Sequence, residues 1–387
     1  MPLSPRSFQD SATVRIHALA QKMRADGQRV YNLSAGEPIV NTGPYYKEIV
    51  DWALTKGETL YPPAAGLDEL RARAVHWMNK NHGSDYKAEN ALVTGGGKFA
   101  IHLMFQVLLS VGDEVLLPSP HYLSYPTILE FAGAKAVLVK GQPERGWKIT
   151  VEDLEVAVSP KTRMLILNSA CNPTGVLYSA EEIQGFLDFA EKHDLWVLSD
   201  EVYSGLVYDG LSYASCASPA ATRSRVAVVQ SASKNFGMTG WRLGFLFGPE
   251  NLIKACTALQ SQTITSSSIV SQWAAIAALE KADEITASIR SEMQARRNVF
   301  FDALDRGLGV SVPRPQGAFY AFLPISLFTS EPLADLAFSQ KLLEEIHLAV
   351  VPGGPFGRTD HVRFSFGEKP EELTEAVDVL CRHFKRA

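Results

Sequence analysis

Residues 225–242 read RVAVVQSASKNFGMTGWR, and this stretch decides the fold. Its opening, 225–230, is β-branched and nearly all apolar, the pattern of a parallel strand buried on both faces. The strand candidate runs into Ser231, Ser233 and Lys234, and Arg242 follows shortly after. A lysine that forms a Schiff base needs a dry pocket or cationic neighbours to release its proton. A strand that delivers one amine beside hydroxyls and a guanidinium suits a cofactor held as an imine and carrying a phosphate. By itself such a lysine is an ordinary loop residue. Its meaning depends on what the neighbouring strands bring to the same edge.

Outward from this stretch, strand-like runs at 91–94, 114–118, 136–139, 164–168, 196–199, 226–230 and 243–248 alternate with helical periods at 98–110, 122–132 and 180–193. The alternation predicts an α/β fold whose large domain holds a mostly parallel seven-stranded sheet flanked by helices. In such sheets, ligand sites form beyond the carboxyl ends of the strands. Residues 91–94 lead into Gly95, Gly96, Gly97 and Lys98 ahead of a helix, an arrangement of N–H groups ready for a phosphate. Residues 164–168 lead to Asn172-Pro173-Thr174-Gly175, and 196–199 to Asp200 and Glu201 with Tyr203 beyond.

Ahead of the alternating region, 13–25 reads as an amphipathic helix stopped at Asp26-Gly27. After it, 270–305 is strongly helical, with Trp273, Ile276, Leu279 and Ile285 on an apolar stripe. The remainder mixes strands at 317–323, 349–352 and 361–366 with helices. The expected division is a large cofactor-binding domain at 46–290 and a smaller α/β lobe built from both termini, 1–45 and 291–387.

Bulk composition narrows the function. The 387 residues are 46% hydrophobic and 20% charged, with a net charge of −5. That is an ordinary globular balance with no basic cluster, which argues against nucleic acid and membrane surfaces as partners. The cysteines Cys171, Cys216, Cys256 and Cys381 show neither metal nor redox spacing, so no metal is expected. Residues 1–10 lack a basic segment followed by an apolar one, and no run is long enough to span a bilayer. A cytoplasmic enzyme with reduced thiols is the expectation.

Taken in order, Gly36-Glu37-Pro38, Tyr61-Pro62-Pro63-Ala64-Ala65-Gly66, the Asn172 turn, Ser199-Asp200-Glu201-Val202-Tyr203, the 231–242 segment, Gly317-Ala318-Phe319-Tyr320 and Val362-Arg363-Phe364-Ser365 resemble the class I/II aminotransferases of pyridoxal-phosphate fold type I, in particular the prokaryotic aspartate aminotransferase subgroup. The resemblance covers nearly the whole chain. It implies a homodimer with shared active sites that moves the amino group of an L-amino acid to a 2-oxo acid. The implied route is a ping-pong cycle between the aldimine and pyridoxamine forms of pyridoxal 5'-phosphate. Lys234 would hold the cofactor and then act as the base at Cα, and Asp200 would keep the ring nitrogen protonated. Tyr203 and Asn172 would bond the cofactor's phenolic oxygen, and Tyr122 would stack on its ring where the subgroup usually has tryptophan. Arg242, Ser231, Ser233 and the backbone of Gly97, Lys98 and Phe99 would cradle the phosphate, with Tyr61 reaching it from a second subunit. Arg363 would fork onto the substrate's α-carboxylate. Gly36 and Asn172 would also border the substrate, and the loop 39–43 would line its side-chain pocket.

Aspartate or glutamate is the favoured amino donor, because the lysine matching Lys98 can meet a distal carboxylate. A lysine pointing to solvent from a phosphate loop is the competing reading. Departures from the subgroup at Ala170-Cys171, Ser204-Gly205, Ile264 and Phe99 leave substrate choice open, and an aminotransferase for neutral or aromatic amino acids or a carbon–sulfur β-lyase would use the same cofactor residues. Two other classes fail on their own chemistry. Gly95-x-Gly97-x-x-Ala100 matches a dinucleotide fingerprint but lacks the acidic residue ending the next strand, and Lys98 is followed by Phe99 where a nucleotide-binding phosphate loop needs Ser or Thr. A non-catalytic protein on the same fold would not need Lys234, Asp200 and Arg363 together.

Overall fold

The computed structural model describes residues 11–40, 42–218 and 223–385. Asn41, within the expected pocket loop 39–43, and the first ten residues lie outside the described residues. The chain divides into two compact units. The larger comprises Glu37–Ala295 and Pro315–Phe319; the smaller comprises the described residues of Met1–Gly36, Arg296–Arg314 and Tyr320–Ala387.

The larger unit is built on a seven-stranded sheet in the order Ala91–Thr94, Gly244–Phe247, Val226–Ser231, Trp196–Asp200, Thr162–Leu167, Glu114–Ser119, Lys135–Lys140. Only Gly244–Phe247 runs antiparallel to its neighbours, so the fold class expected from the alternating runs is borne out. Val226–Ser231 is buried at every position, which is why it reads as a continuous apolar run. At one edge, Lys135–Lys140 exposes both terminal lysines, which discourages pairing with a further strand. The opposite edge is covered: Val93 donates its N–H to the Ala65 carbonyl, and Gln260 Nε2 donates to the Val93 carbonyl at 2.8 Å. Helix Gly97–Leu108 packs Ala100, Leu103 and Met104 into a core with Leu117, Ile166, Leu198 and Val229.

Two helices differ from their expected bounds. The run at 122–132 becomes helix only at Tyr125–Phe131, because Pro126 suits a first turn and cannot donate within one. The run at 270–305 is two helices, Ile269–Glu280 and Ala282–Leu308, separated at Lys281.

In the smaller unit, Tyr320–Pro324 and Val351–Pro352 flank His361–Ser365 in an antiparallel sheet, and Tyr31–Asn32 pairs in parallel with Leu348–Ala349. Among the described residues no helix is long and apolar enough to cross a membrane, and no metal-binding cluster of His, Cys, Asp and Glu is found.

Candidate active site

The parallel strands deliver their carboxyl ends to one edge, where Gly244 pairs with both Thr94 and Ser231. Gly96 caps helix Gly97–Leu108 with φ 101°, a conformation open to glycine and strained for other residues. A Cβ there would lie 2.9 Å from Arg242 Nη2, so the guanidinium sits directly over this turn. A Cβ on Gly97 would meet Val229 at 3.3 Å and Ser231 Cβ at 3.6 Å, so the strand end carrying Ser231 closes the other side. Arg242 is exposed, and its Nη1 donates to the Thr239 carbonyl at 2.9 Å. The N–H groups of Gly97 and Lys98 begin the helix and have no preceding turn to donate into. The Phe99 N–H, in contrast, donates to the Gly96 carbonyl at 3.0 Å.

The floor of this edge is buried. Asp200 ends its strand 4% exposed, and Tyr125, 1% exposed, donates its hydroxyl to Asp200 Oδ2 at 2.6 Å. Burial pushes the Asp200 carboxyl up to about 6, while the Tyr125 hydroxyl and the Val202 N–H pull it down. Asn168 Nδ2 donates to the Asp200 carbonyl at 2.9 Å, and Asn168 Oδ1 accepts the Asn172 N–H at 3.0 Å. The Asn172 turn is thereby tied to the Asp200 strand.

Ser231 caps the short helix Ala232–Asn235: its Oγ accepts the Ser233 N–H at 3.2 Å and donates to the Leu243 carbonyl at 3.3 Å. Lys234 lies in that turn, half-buried, with Nζ 5.7 Å from the centre of the Phe319 ring. Tyr203 is buried and meets Phe319 edge-on at 5.7 Å. Beside them Gln230, Ser204 and Asn235 form a buried hydrogen-bonded cluster, which also accepts the Gly205 N–H. A turn fastened this way holds its lysine at a fixed place.

Tyr122 is half-buried, edge-on to Tyr125 at 5.4 Å, and the exposed Lys98 carries its amine 5.8 Å from the Tyr122 ring centre. Phe99 and Ile264 close around Gly95, where a Cβ would meet Ile264 Cδ1 at 3.4 Å and Phe99 Cδ1 at 3.9 Å. Tyr61 is 88% exposed. Gly36 and Arg363 belong to the smaller unit, where Arg363 is fully buried. Its guanidinium lies 4.4 Å from the centre of the Tyr320 ring, and its Nη2 donates to the Ser34 carbonyl at 2.9 Å. A Cβ on Gly36 would sit 3.6 Å from the Tyr320 hydroxyl, so Tyr320 links the two positions.

Three residues at the sheet edge carry no role in the sequence pattern. Tyr125 stands three residues after Tyr122, and nothing in the spelling says which tyrosine meets the carboxylate. Asn168 reads as the end of a strand, whereas its side chain bridges Asp200 and Asn172. Glu201, fully buried beside Asp200, accepts from Ser199, Ser215 and the Cys216 N–H, and burial raises it to about 7.

Pyridoxal phosphate fits these surroundings. Its phosphate needs donors and positive charge, which the glycine turn and Arg242 supply at a place where any Cβ on residue 96 would intrude. A protonated ring nitrogen needs a buried carboxylate, which Asp200 supplies.

The family model described as "Aminotransferase class I and II" matches residues 28–380. The aspartate aminotransferase of Geobacillus stearothermophilus is 36% identical over 97% of this chain and 96% of its own length. The aspartate/prephenate aminotransferase of Thermus thermophilus is 36% identical over 99% of this chain and 98% of its own. The solved aspartate aminotransferase from Thermus thermophilus with maleate superposes with TM-score 0.93 at 35% identity, covering 98% of this chain and all of that one. An aromatic aminotransferase from Pyrococcus horikoshii superposes with TM-score 0.88 at 34% identity, covering 95% of this chain and 99% of its own. A match of this length in both sequence and fold, on a sheet edge suited to the same cofactor, makes the chain a class I/II aminotransferase, a pyridoxal-phosphate-dependent transferase.

Proposed function

We propose that the enzyme takes its amino group from an acidic L-amino acid, aspartate or glutamate, and passes it to a 2-oxo acid. The observation that carries this reading is Lys98, an exposed amine beside the Tyr122 ring on the turn that opens the phosphate-facing helix. A cation there can pair with a substrate's distal carboxylate. Relatives named as aspartate aminotransferases support it.

When bound, pyridoxal phosphate supplies an electron sink that lets negative charge develop at the substrate's Cα. The chain's residues do the rest. Lys234 would hold the cofactor through its amine, and as a free amine it would take the proton from Cα and return it during transfer. Asp200 would meet the ring nitrogen, Tyr203 and Asn172 would hydrogen-bond the phenolic oxygen, and Tyr122 would cover the ring. Arg242, Ser231, Ser233 and the N–H groups of Gly97 and Lys98 would hold the phosphate. Arg363, beside Gly36, holds the α-carboxylate of amino and oxo acid alike. We also assign cofactor binding to the large domain, a cytoplasmic location, and a homodimer in which Tyr61 completes the partner's site. The near-complete exposure of Leu60 and Tyr61, at 81% and 88%, supports the dimer.

The test is the visible spectrum of the cofactor-loaded protein titrated with single amino acids and no oxo acid. Acidic donors should convert the cofactor first and at the lowest concentrations. Conversion by neutral or aromatic donors alone would keep the reaction and overturn the acidic preference. Repeated release of pyruvate with ammonia or a thiol would mark a β-lyase instead.

A further inference from the structure

Asp200 is held by more than its own strand. The Tyr125 hydroxyl donates to Oδ2 at 2.6 Å, while Oδ1 takes the Val202 N–H at the longer distance of 3.4 Å. An ionised carboxylate offers about four lone pairs, so Oδ1 keeps acceptor capacity for a donor in the site. Tyr125 also packs edge-on against Tyr122 at 5.4 Å. One phenol therefore braces both the ring-covering tyrosine and the carboxylate assigned to the ring nitrogen.

We propose that Tyr125 is a positioning residue whose hydroxyl, donated to Asp200, keeps the proton shared by Asp200 and a bound pyridine on the ring nitrogen. The inference rests on the assignment of Asp200 to that nitrogen. Its physical ground is relative basicity. A hydrogen bond donated to the charged carboxylate stabilises that form and weakens it as a base. Burial works the other way and lifts Asp200 to about 6 even with the tyrosine in place. Cys171, Glu201 and Tyr213 lie near enough to feel the Asp200 charge, which raises the proton affinity of each. Tyr125 remains a donor throughout, because burial and the neighbouring Asp200 charge push its own proton loss well above the ordinary tyrosine range. With the phenol gone, Oδ2 loses its donor, and Asp200, 4% exposed, has little contact with solvent to replace it. Asp200 then becomes the stronger base and draws the proton from the ring.

The experiment loads wild type and Tyr125→Phe with pyridoxal phosphate carrying nitrogen-15 in the ring, and records the ring-nitrogen chemical shift beside the melting temperature. Protonated and neutral pyridine nitrogens are widely separated on this scale. Wild type should show a protonated ring, and Tyr125→Phe should move at least half-way to the neutral value. An unmoved shift in Tyr125→Phe, whatever happens to its melting temperature, overturns the inference and leaves the Asp200 assignment standing. A neutral ring already in wild type overturns the Asp200 assignment and the inference with it. Tyr125→3-fluorotyrosine preserves the shape and strengthens the donor, so it should hold the protonated value. A move toward neutral there would also overturn the inference.

Discussion

The rim and the floor of the sheet edge hold charge in opposite ways. At the rim, Lys98 and Arg242 are exposed, and Arg242 is steadied by a single carbonyl contact to Thr239. On the floor, Asp200 and Tyr125 are 4% and 1% exposed, and Asp200 is braced through its side chain and its backbone. Water competes far more for the rim contacts than for those on the floor. Rim residues should therefore govern how tightly an anion is held and how strongly salt loosens it, whereas floor residues should govern chemistry.

The largest effect should come from Lys234→Ala. Removing the amine takes away both the cofactor link and the base, and turnover should fall by about ten-thousandfold or more. Turnover near wild type would remove Lys234 from the mechanism and the comparison with it. Asp200→Asn keeps shape but loses charge, and kcat should drop on the order of a hundredfold, with cofactor still bound in the visible spectrum. If that variant loses affinity and keeps kcat, the floor behaves like a rim.

Arg242→Ala should sharpen the contrast from the other side. Cofactor affinity should weaken by roughly tenfold, about 1.4 kcal/mol, with kcat little changed once the cofactor is saturating. Binding to wild type should weaken with added salt, and binding to Arg242→Ala should do so less. A salt response that is the same in both proteins would remove the guanidinium from the anion site.

The smallest effect concerns stability of the cofactor-free protein. Burial raises Asp200 to about 6 and Glu201 to about 7, so the folded chain holds these protons more tightly than the unfolded chain does. Their contribution is complete below the ordinary carboxyl range and is lost as pH rises through about 7. In Glu201→Gln the Oε1 position can still accept from Ser199, Ser215 and Cys216. The variant should melt like wild type near pH 4 and above it near pH 8, by a few degrees for roughly 1 kcal/mol. Parallel melting curves at both pH values would mean that Glu201 is already charged in the fold.

The frame of this site was legible because strand ends carry it. Buried parallel strands are apolar throughout, so the polar residues that end or follow them, such as Asp200, Ser231, Lys234 and the glycines after Thr94, stand out in the sequence. What stayed hidden depends on direction. Asp200 and Glu201 are sequence neighbours, but successive side chains of a strand point to opposite faces, and only coordinates say which acid meets Tyr125. Tyr125 was concealed by a helix boundary, since a helix begun at Tyr122 would aim the tyrosines differently from one begun at Tyr125. The break at Lys281 was invisible for a related reason. The apolar stripe continues across it in register, so periodicity sees one helix where there are two.

The adjacency of two buried acids has a cost in the cell. Before its cofactor arrives, the chain must keep Asp200 and Glu201 buried with no positive ring beside them, and that burial disfavours their charged forms. A ligand that binds only the folded form raises stability by mass action. For this enzyme, vitamin B6 supply would set more than catalytic capacity: a chain that waits too long for its cofactor is the one that proteases reach first.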